Sequence, residues 1–316
     1  MFRIDDATAA TSLPAPETAG TEGYFTEGNP ATGTPATKVR GSWLNMIQEE
    51  LCAILAAAGI TRAKTSYNQV NAALQKMYAP LIGQATNLKC VTTAVGTSLP
   101  YSADQLVVGA SLGGQTFCLS NFSVAISALD TGVLAANSYY AAYAYLKSDG
   151  TKGGFLQLEP AGGAPTVYGG ANPPANMIAS ALIGVWPTNA SAQLIVGSQY
   201  GRRFNFASTG ALTGSGAVGT PTSFSIAGIV PKSAKFVSGG LSITVAAAAV
   251  AQLLLFDQAT TGATSTTVSN NTTGAGGNSN NFSSLPILTP QTLWFVTSTS
   301  AGAISNYAAN LTQYEF

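Results

Sequence analysis

Acidic side chains are the groups in this chain best suited to catalysis, because its 316 residues include no histidine. The lack of histidine excludes Ser-His-Asp and Cys-His triads and histidine-ligated metal sites. A glycoside hydrolase instead needs two carboxylates across one bond, and residues 223–316 offer only Asp257 and Glu315. The acidic residues of the middle segment lie mostly at turns, where Asp is favoured for backbone reasons. We therefore predict no catalytic residues and no enzyme, with a polysaccharide depolymerase as the least favoured alternative.

A glycine pattern, Gly214-x-Gly216-x-x-Gly219, matches a dinucleotide-binding fingerprint by its letters alone. That fingerprint needs a preceding strand and a following helix. Here no clear strand precedes the pattern, and Pro221 stands where the helix should begin. We assign the pattern to a linker and predict no cofactor.

Three cysteines, Cys52, Cys90 and Cys118, are scattered without a CxxC pair or a metal-like spacing. We expect free thiols, as in a protein assembled in a reducing cytoplasm, and no metal site. The N-terminal residues lack the apolar segment of a signal peptide. The longest apolar run, 245–256, is shorter than a membrane span, so no membrane insertion is expected.

Charged residues are few and unevenly placed. They make up 8% of the chain, and the formal net charge is +0. This composition argues against a disordered chain and against a nucleic-acid binder, which needs a basic surface. Of the 26 charged residues, 12 lie in residues 1–64 and four in residues 205–316. A segment so poor in charge favours a tight homo-oligomer with a neutral outer face.

Residues 1–40 are rich in Gly, Pro and Thr, which disfavour a helix and the interior of a sheet. The segment nevertheless carries Tyr24 and Phe25 side by side, which are costly to leave in water. We predict an extended attachment arm that lies on another surface. The alternative is a disordered N-terminal tail.

Residues 41–87 are predicted to be an α-helical segment for oligomerisation and attachment. Ser42 is a suitable N-cap and Gly59 a suitable C-terminal stop for a first helix. A second helix is expected over 66–78, giving a helical hairpin. The first helix carries an apolar seam with heptad spacing, which is typical of a coiled coil. The seam consists of Leu44, Ile47, Leu51, Ile54 and Ala58. Packing between chains and packing on the second helix of the same chain are both compatible with it.

From residue 88 the apolar period shortens to two and turns recur, which predicts strands. We predict a middle β-sandwich over 88–206, a flexible linker over 207–222 and a distal β-sandwich over 223–316. The tyrosines of residues 138–146 could hold a sugar, but aromatic faces in strands are more often core. The expected fold class is mainly β with an N-terminal α segment, in a trimeric assembly.

The stretch between Asp257 and Leu285 is almost free of apolar residues. So long a connection inside a compact domain is usually functional. Its amides and hydroxyls suit the hydroxyl groups of sugars, and the alternative is a solvated hairpin without a role. The candidate receptor-binding residues are Asn270, Asn271, Asn278, Asn280 and Asn281.

The run GYFTEGNPATGTPAT, followed by SWLNMIQEEL and AAAGI, resembles the N-terminal region of tail fibre proteins of tailed bacteriophages and prophages. The resemblance is close over 1–78, weaker over 90–206, and absent over 207–316. It implies that the N-terminal region attaches to the phage tail or baseplate. The residues that carry this implied role are Tyr24, Phe25, Asn29, Pro30, Pro35 and Trp43.

These observations together predict a homotrimeric tail fibre of the virion, assembled in the bacterial cytoplasm. Its N-terminus would bind tail or baseplate proteins, and its C-terminal domain a glycan of the host cell surface. The first alternative is a structural adaptor that binds no receptor.

Overall fold

The computed structural model describes residues 2–78, 80–260, 264–301 and 303–316. Strands hold 46% of the chain and helices 9%, with two helices near the N-terminus and two sheets. The predicted mainly β fold with an N-terminal α segment is therefore confirmed. The chain divides into an N-terminal unit, Met1–Ala79 with Gly113–Gln115, and a β unit, Pro80–Leu112 with Thr116–Phe316.

Both helices precede all the strands. The elements in chain order are a 3-10 turn at Pro30–Thr32, helices α1 (Gly41–Ala57) and α2 (Gln69–Met77), and strands β1 (Ala85–Thr86), β2 (Lys89–Thr92), β3 (Leu99–Gly109), β4 (Thr116–Ile126), β5 (Tyr139–Lys147), β6 (Lys152–Leu158), β7 (Met177–Pro187), β8 (Gly197–Tyr200), β9 (Arg203–Gly214), β10 (Val218–Ser225), β11 (Phe236–Val245), β12 (Ala249–Phe256), β13 (Ser265–Thr272), β14 (Gly276–Pro286), β15 (Thr292–Thr299) and β16 (Ile304–Glu315).

Helix α1 ends as the sequence predicts but begins differently. Gly59 has a φ of +63°, and the amide of Ile60 donates to the Leu55 carbonyl at 2.9 Å, which closes the last turn with a left-handed C-terminal motif. The predicted N-cap at Ser42 is wrong, because Arg40 occupies that position in an extended conformation. A hydrogen bond with the Ser42 side chain instead lowers the pKa of Glu17 below its ordinary value.

The two helices form the predicted hairpin around a small core of their own. Leu55 and Ala58 of α1 are buried together with Ala73 of α2, and Ile54 packs against them. Packing within one chain therefore occupies the C-terminal end of the apolar seam. At the other end of α1 the side chain of Leu44 is 53% exposed, so the described residues leave about half of its surface uncovered.

Two sheets build the β unit. The larger has twelve strands in the order β14-β11-β16-β9-β8-β2-β3-β7-β5-β6, with β1 and β4 also paired to β3, and the smaller has the order β10-β15-β12-β13. The ring of Phe295 on β15 lies 5.5 Å from that of Tyr307 on β16. The small sheet therefore packs face to face on the part of the large sheet that contains β16.

The expected flexible linker over 207–222 is wrong. Most of these residues lie in β9 and β10, and Gly216 makes the turn between the strands with a φ of +78°. Strand β16 pairs with β9 from Arg203 to Gly214, and this ladder satisfies the backbone of a segment whose composition favours flexibility. Tertiary pairing therefore overrides local propensity here. The other predicted domain boundaries stay predictions.

Strand β16 is the central strand of the C-terminal half, because it pairs with β9 on one side and β11 on the other. Its Tyr314 is fully buried, with the ring 5.0 Å from that of Phe204 and the hydroxyl donating to the Val185 carbonyl at 2.5 Å. Burial raises the pKa of the Tyr314 hydroxyl well above its ordinary value. The hydroxyl therefore stays protonated as a donor.

The tyrosines of β5 belong mainly to the core, as expected. Tyr140 and Tyr143 are buried. The Tyr143 hydroxyl donates to the Pro165 carbonyl at 2.8 Å, and the Tyr140 hydroxyl accepts from the Ala135 amide at 2.7 Å. Buried hydroxyls that are bonded in this way serve packing.

Candidate attachment surface

The first residues of the chain lie on α1 of the same unit. The Arg3 guanidinium donates two hydrogen bonds to the Glu49 carboxylate, at 2.6 and 2.5 Å. The Ile4 amide donates to Gln48 Oε1 at 2.7 Å, and Lys64 pairs with Asp5 at 2.6 Å. The first residues of the N-terminal segment therefore contact their own unit, and the attachment role of the arm stays a prediction.

These ion pairs lower the pKa values of the carboxyl groups that take part in them. The hydrogen bonds from Arg3 lower the pKa of Glu49 below its ordinary value of 4.5, and Lys64 lowers the pKa of Asp5 below 3.8. A carboxyl group whose pKa is lowered in the folded state stabilises that state at pH values above its ordinary pKa. This stabilisation is lost as the pH falls through the lowered pKa. Contact between the arm and α1 should therefore weaken in acid. Sequence patterns did not reveal these pairs, although the concentration of charge in residues 1–64 was a signal.

A groove of about 730 Å³ runs between residues 13–22 and the N-terminal half of α1. Leu13, Pro14 and Pro16 line it from the arm, and Trp43 and Met46 line it from the helix. Apolar concave surfaces of this kind are typical binding sites for a partner.

Residues 26–37 form an exposed loop that holds its own shape. Asn29 and Thr34 exchange two backbone hydrogen bonds, at 2.8 and 3.0 Å, and the Thr37 amide donates to the Thr26 carbonyl at 2.9 Å. The Asn29 side chain caps the 3-10 turn by accepting from the Ala31 amide at 3.0 Å. The loop is therefore closed by its own hydrogen bonds.

Glycine is required at the base of this loop. Gly28 has a φ of +73°, and a Cβ atom there would lie 2.5 Å from the Thr34 carbonyl oxygen. Such a distance is shorter than any van der Waals contact, and the left-handed backbone disfavours other residues as well. The sequence of the loop thus specifies a backbone shape and leaves its side chains exposed.

Aromatic side chains flank the loop. The rings of Phe25 and Trp43 meet edge to face with centroids 5.0 Å apart, which ties the start of the loop to α1. Tyr24 is 99% exposed. We define the attachment surface as the loop 26–37, these three aromatic residues and the groove.

The structure brings the six residues implied in tail attachment into this one unit. Tyr24, Phe25 and Trp43 form the aromatic part of the surface, Asn29 and Pro30 form the turn, and exposed Pro35 lies on the returning strand of the loop. The seam residues Leu44 and Ile47 are exposed, Leu51 and Ile54 are half-buried, and Ala58 is buried. The functional roles of both sets stay predictions.

The five distal asparagines lie on strands β13 and β14, which make up most of the long polar connection between Asp257 and Leu285. These strands are the outer strands of the two different sheets. Three of the asparagines link the strands by donating side-chain hydrogen bonds to backbone carbonyls. The bonds run from Asn270 to Gly276 (2.9 Å), from Asn278 to Ser269 (2.6 Å) and from Asn280 to Thr267 (2.9 Å). Asn271 and Asn281 are exposed. A receptor-binding role of these residues stays a prediction.

The three cysteines lie outside the residues that define the attachment surface. Cys52 and Cys90 are buried and Cys118 is exposed, all as free thiols, and burial raises the pKa of the Cys90 thiol to about 12. Within residues 2–78, 80–260, 264–301 and 303–316, no three Cys, Asp or Glu side chains are grouped to hold a metal ion. In the same ranges, no helix is both long and apolar enough to cross a bilayer.

Comparison with known proteins gives one informative match. The uncharacterized protein StfP of Escherichia coli strain K12 is 42% identical to this chain over 77 residues, which are 24% of this chain and 35% of StfP. The chain thus spans about a third of the length of this relative. The name StfP is of the side tail fibre type, so the match suggests a phage tail fibre weakly and over one segment.

Two further comparisons carry no argument. No family model matches the chain. A chain in the structure of infectious bursal disease virus, Gx strain, aligns with 75% of this chain and 69% of its own length, at 12% identity. Its TM-score of 0.19 is too low to indicate a shared fold.

Replacing Glu49 with Gln should release the first residues of the arm from α1. We expect amide exchange in residues 3–6 to become about two- to fivefold faster, because an exposed ion pair contributes little. Hydrogen exchange of the N-terminal peptide, followed by mass spectrometry, measures this change. The matched control is Glu50→Gln on the same helix, which should leave the exchange unchanged. Equal rates in the wild type and Glu49→Gln would show that the arm does not depend on this contact.

Proposed function

We propose that this chain is a tail fibre protein of a tailed bacteriophage or prophage. The match to StfP, a protein with a name of the side tail fibre type, carries this proposal. The N-terminal unit attaches the fibre to tail or baseplate proteins, and the β unit faces the host surface, where the receptor is a glycan. The proposal includes no catalytic step.

The attachment surface suits binding to a tail or baseplate protein. A loop that is already fixed by its own hydrogen bonds loses little conformational entropy when it binds. A partner that covers Tyr24, Phe25 and Trp43 would bury three aromatic side chains, and such residues dominate the energetics of many interfaces. The apolar groove beside them extends the same surface along α1.

A trimer is part of the proposal. The exposed side chains of Leu44 and Ile47 follow the heptad spacing on the part of α1 that α2 leaves uncovered. Three parallel copies of α1 would bury them against each other. The low charge of the β unit also favours an assembly in which subunits share apolar faces.

The structural adaptor remains the second candidate, and one observation favours it. Asn270, Asn278 and Asn280 use their amides to join the two sheets. These groups are therefore less available to a receptor at the distal surface than the sequence suggests. If this chain is an adaptor, the isolated protein should not bind host cells, although intact virions still adsorb to them.

The purified full chain should have three times the monomer mass of 32.0 kDa in mass photometry. Leu44→Lys combined with Ile47→Lys should convert it to monomers, because three lysine pairs cannot share one apolar seam. Leu288→Lys, at an exposed position of the β unit, is the control and should stay trimeric. A stable wild-type monomer would rule out the trimer.

Antibodies against this chain should label the tails of particles produced by a phage or prophage that encodes it. In the double variant Phe25→Ala and Trp43→Ala, we expect labelled tails to fall at least about tenfold, since two anchors of the attachment surface are lost. Electron microscopy with immunogold measures the labelled fraction. Tyr67→Ala, which removes an exposed tyrosine outside this surface, should not change it. Particles whose tails never carry the label would contradict the proposed function.

A further inference from the structure

A row of polar side chains crosses four neighbouring strands of the large sheet. Tyr200 on β8 is opposite Lys89 on β2, Lys89 is opposite Ser102 on β3, and Ser102 is opposite Ser123 on β4. Residues directly opposite each other in adjacent strands project from the same face of the sheet. The four side chains therefore share one surface of the β unit.

Three more polar residues complete this surface. Asn87, Asp104 and Asn121 each lie two positions along the chain from a member of the row. Together with the row they line an open cavity of about 420 Å³. The cavity is open, and its polar groups belong to four different strands, except for Asn87, which lies just before β2.

Hydrogen bonds fix part of this cavity. The Tyr200 hydroxyl donates to Asn87 Oδ1 at 3.0 Å, and the Asn87 amide donates to Asp104 Oδ2 at 2.5 Å. Tyr200 is still 63% exposed. The chain of bonds therefore holds an aromatic ring at the edge of the cavity and leaves the second oxygen of Asp104 for a ligand.

The chemistry of the cavity selects among ligand classes. One ammonium beside one carboxylate is a poor site for phosphate, and a single carboxylate is a poor site for a metal ion. A floor of amides, hydroxyls and a carboxylate offers both donors and acceptors, as the hydroxyls of a sugar require. The exposed ring of Tyr200 offers an apolar face for the C–H groups of a sugar ring.

We propose that this cavity binds one sugar unit of a polysaccharide, with Tyr200 as the apolar platform and Asp104 as the principal acceptor. The inference deepens the proposed function, on which it rests for the source of the polysaccharide. It moves the glycan contact from the asparagines of β13 and β14 to the sheet formed by β8, β2, β3 and β4. One shallow site binds weakly, at about millimolar affinity, and linked copies raise the avidity.

The test uses the full-length protein and a panel of methyl glycosides of glucose, galactose, mannose, rhamnose and N-acetylglucosamine. Saturation-transfer NMR should detect at least one of them. Tyr200→Ala and Asp104→Asn should each weaken that binding at least about tenfold, as expected for loss of an anchoring group. Tyr200→Phe keeps the ring but loses the bond to Asn87, so its effect should be smaller.

Two controls keep the test specific. Tyr67→Ala removes a fully exposed tyrosine of the N-terminal unit, and Asp149→Asn changes a turn aspartate that accepts from the Thr151 amide. Both should bind the glycoside like the wild type. Circular dichroism checks that every variant is folded.

The proposal is overturned if no glycoside binds, or if binding survives both Tyr200→Ala and Asp104→Asn. The proposal is also overturned if the double variant Asn271→Ala and Asn281→Ala loses glycoside binding while Tyr200→Ala binds like the wild type. That result would assign the glycan contact to the distal asparagines. None of these results affects the labelling of phage tails. Failure of the sugar site is therefore distinguishable from failure of the proposed function.

Discussion

The pairing of β16 with both β9 and β11 is the constraint on which the β unit depends. It brings residues 304–315 between segments about 100 and about 70 residues earlier in the chain. The buried Tyr314 adds a hydrogen bond to the Val185 carbonyl and a ring contact with Phe204. Without this strand, β9 would lose its long ladder and the small sheet would lose the face on which it packs. The fold therefore depends on contacts that are distant in sequence.

Neutral hydrogen bonds replace ion pairs in most of the β unit. Among the described residues there are three ion pairs, and two of them lie in the N-terminal unit. The outer strands β13 and β14 are joined by asparagine amides, each of which contributes about 1 kcal/mol. Asn87 and Asn121 bring side-chain amides to the cavity beside Tyr200, together with the charged groups of Lys89 and Asp104. Polar side chains thus serve both to stabilise the fold and, in our proposal, to bind a glycan.

Local patterns in the sequence predicted the secondary structure that depends on residues close together in the chain. The apolar spacing of α1 and the glycine at 59 defined a helix that the structure contains, and the period of two defined the β fold. Residues 207–222 were misjudged because their partner strands, β16 for β9 and β15 for β10, lie far along the chain. The roles of Asn278 and Asn280 depend on β13 carbonyls, and the cavity at Tyr200 depends on four strands that meet only in the fold. No local signal gives such contacts, since they arise from tertiary pairing.

Hydrogen exchange of the intact protein, resolved along β9, tests the central role of β16 most directly. Strands that unfold together exchange with similar free energies of opening. We expect the amides of residues 207–214 to be protected to the same degree as those of β16. Exchange of 207–214 at the rate of an unstructured peptide, with β16 still protected, would contradict the account and restore the flexible linker.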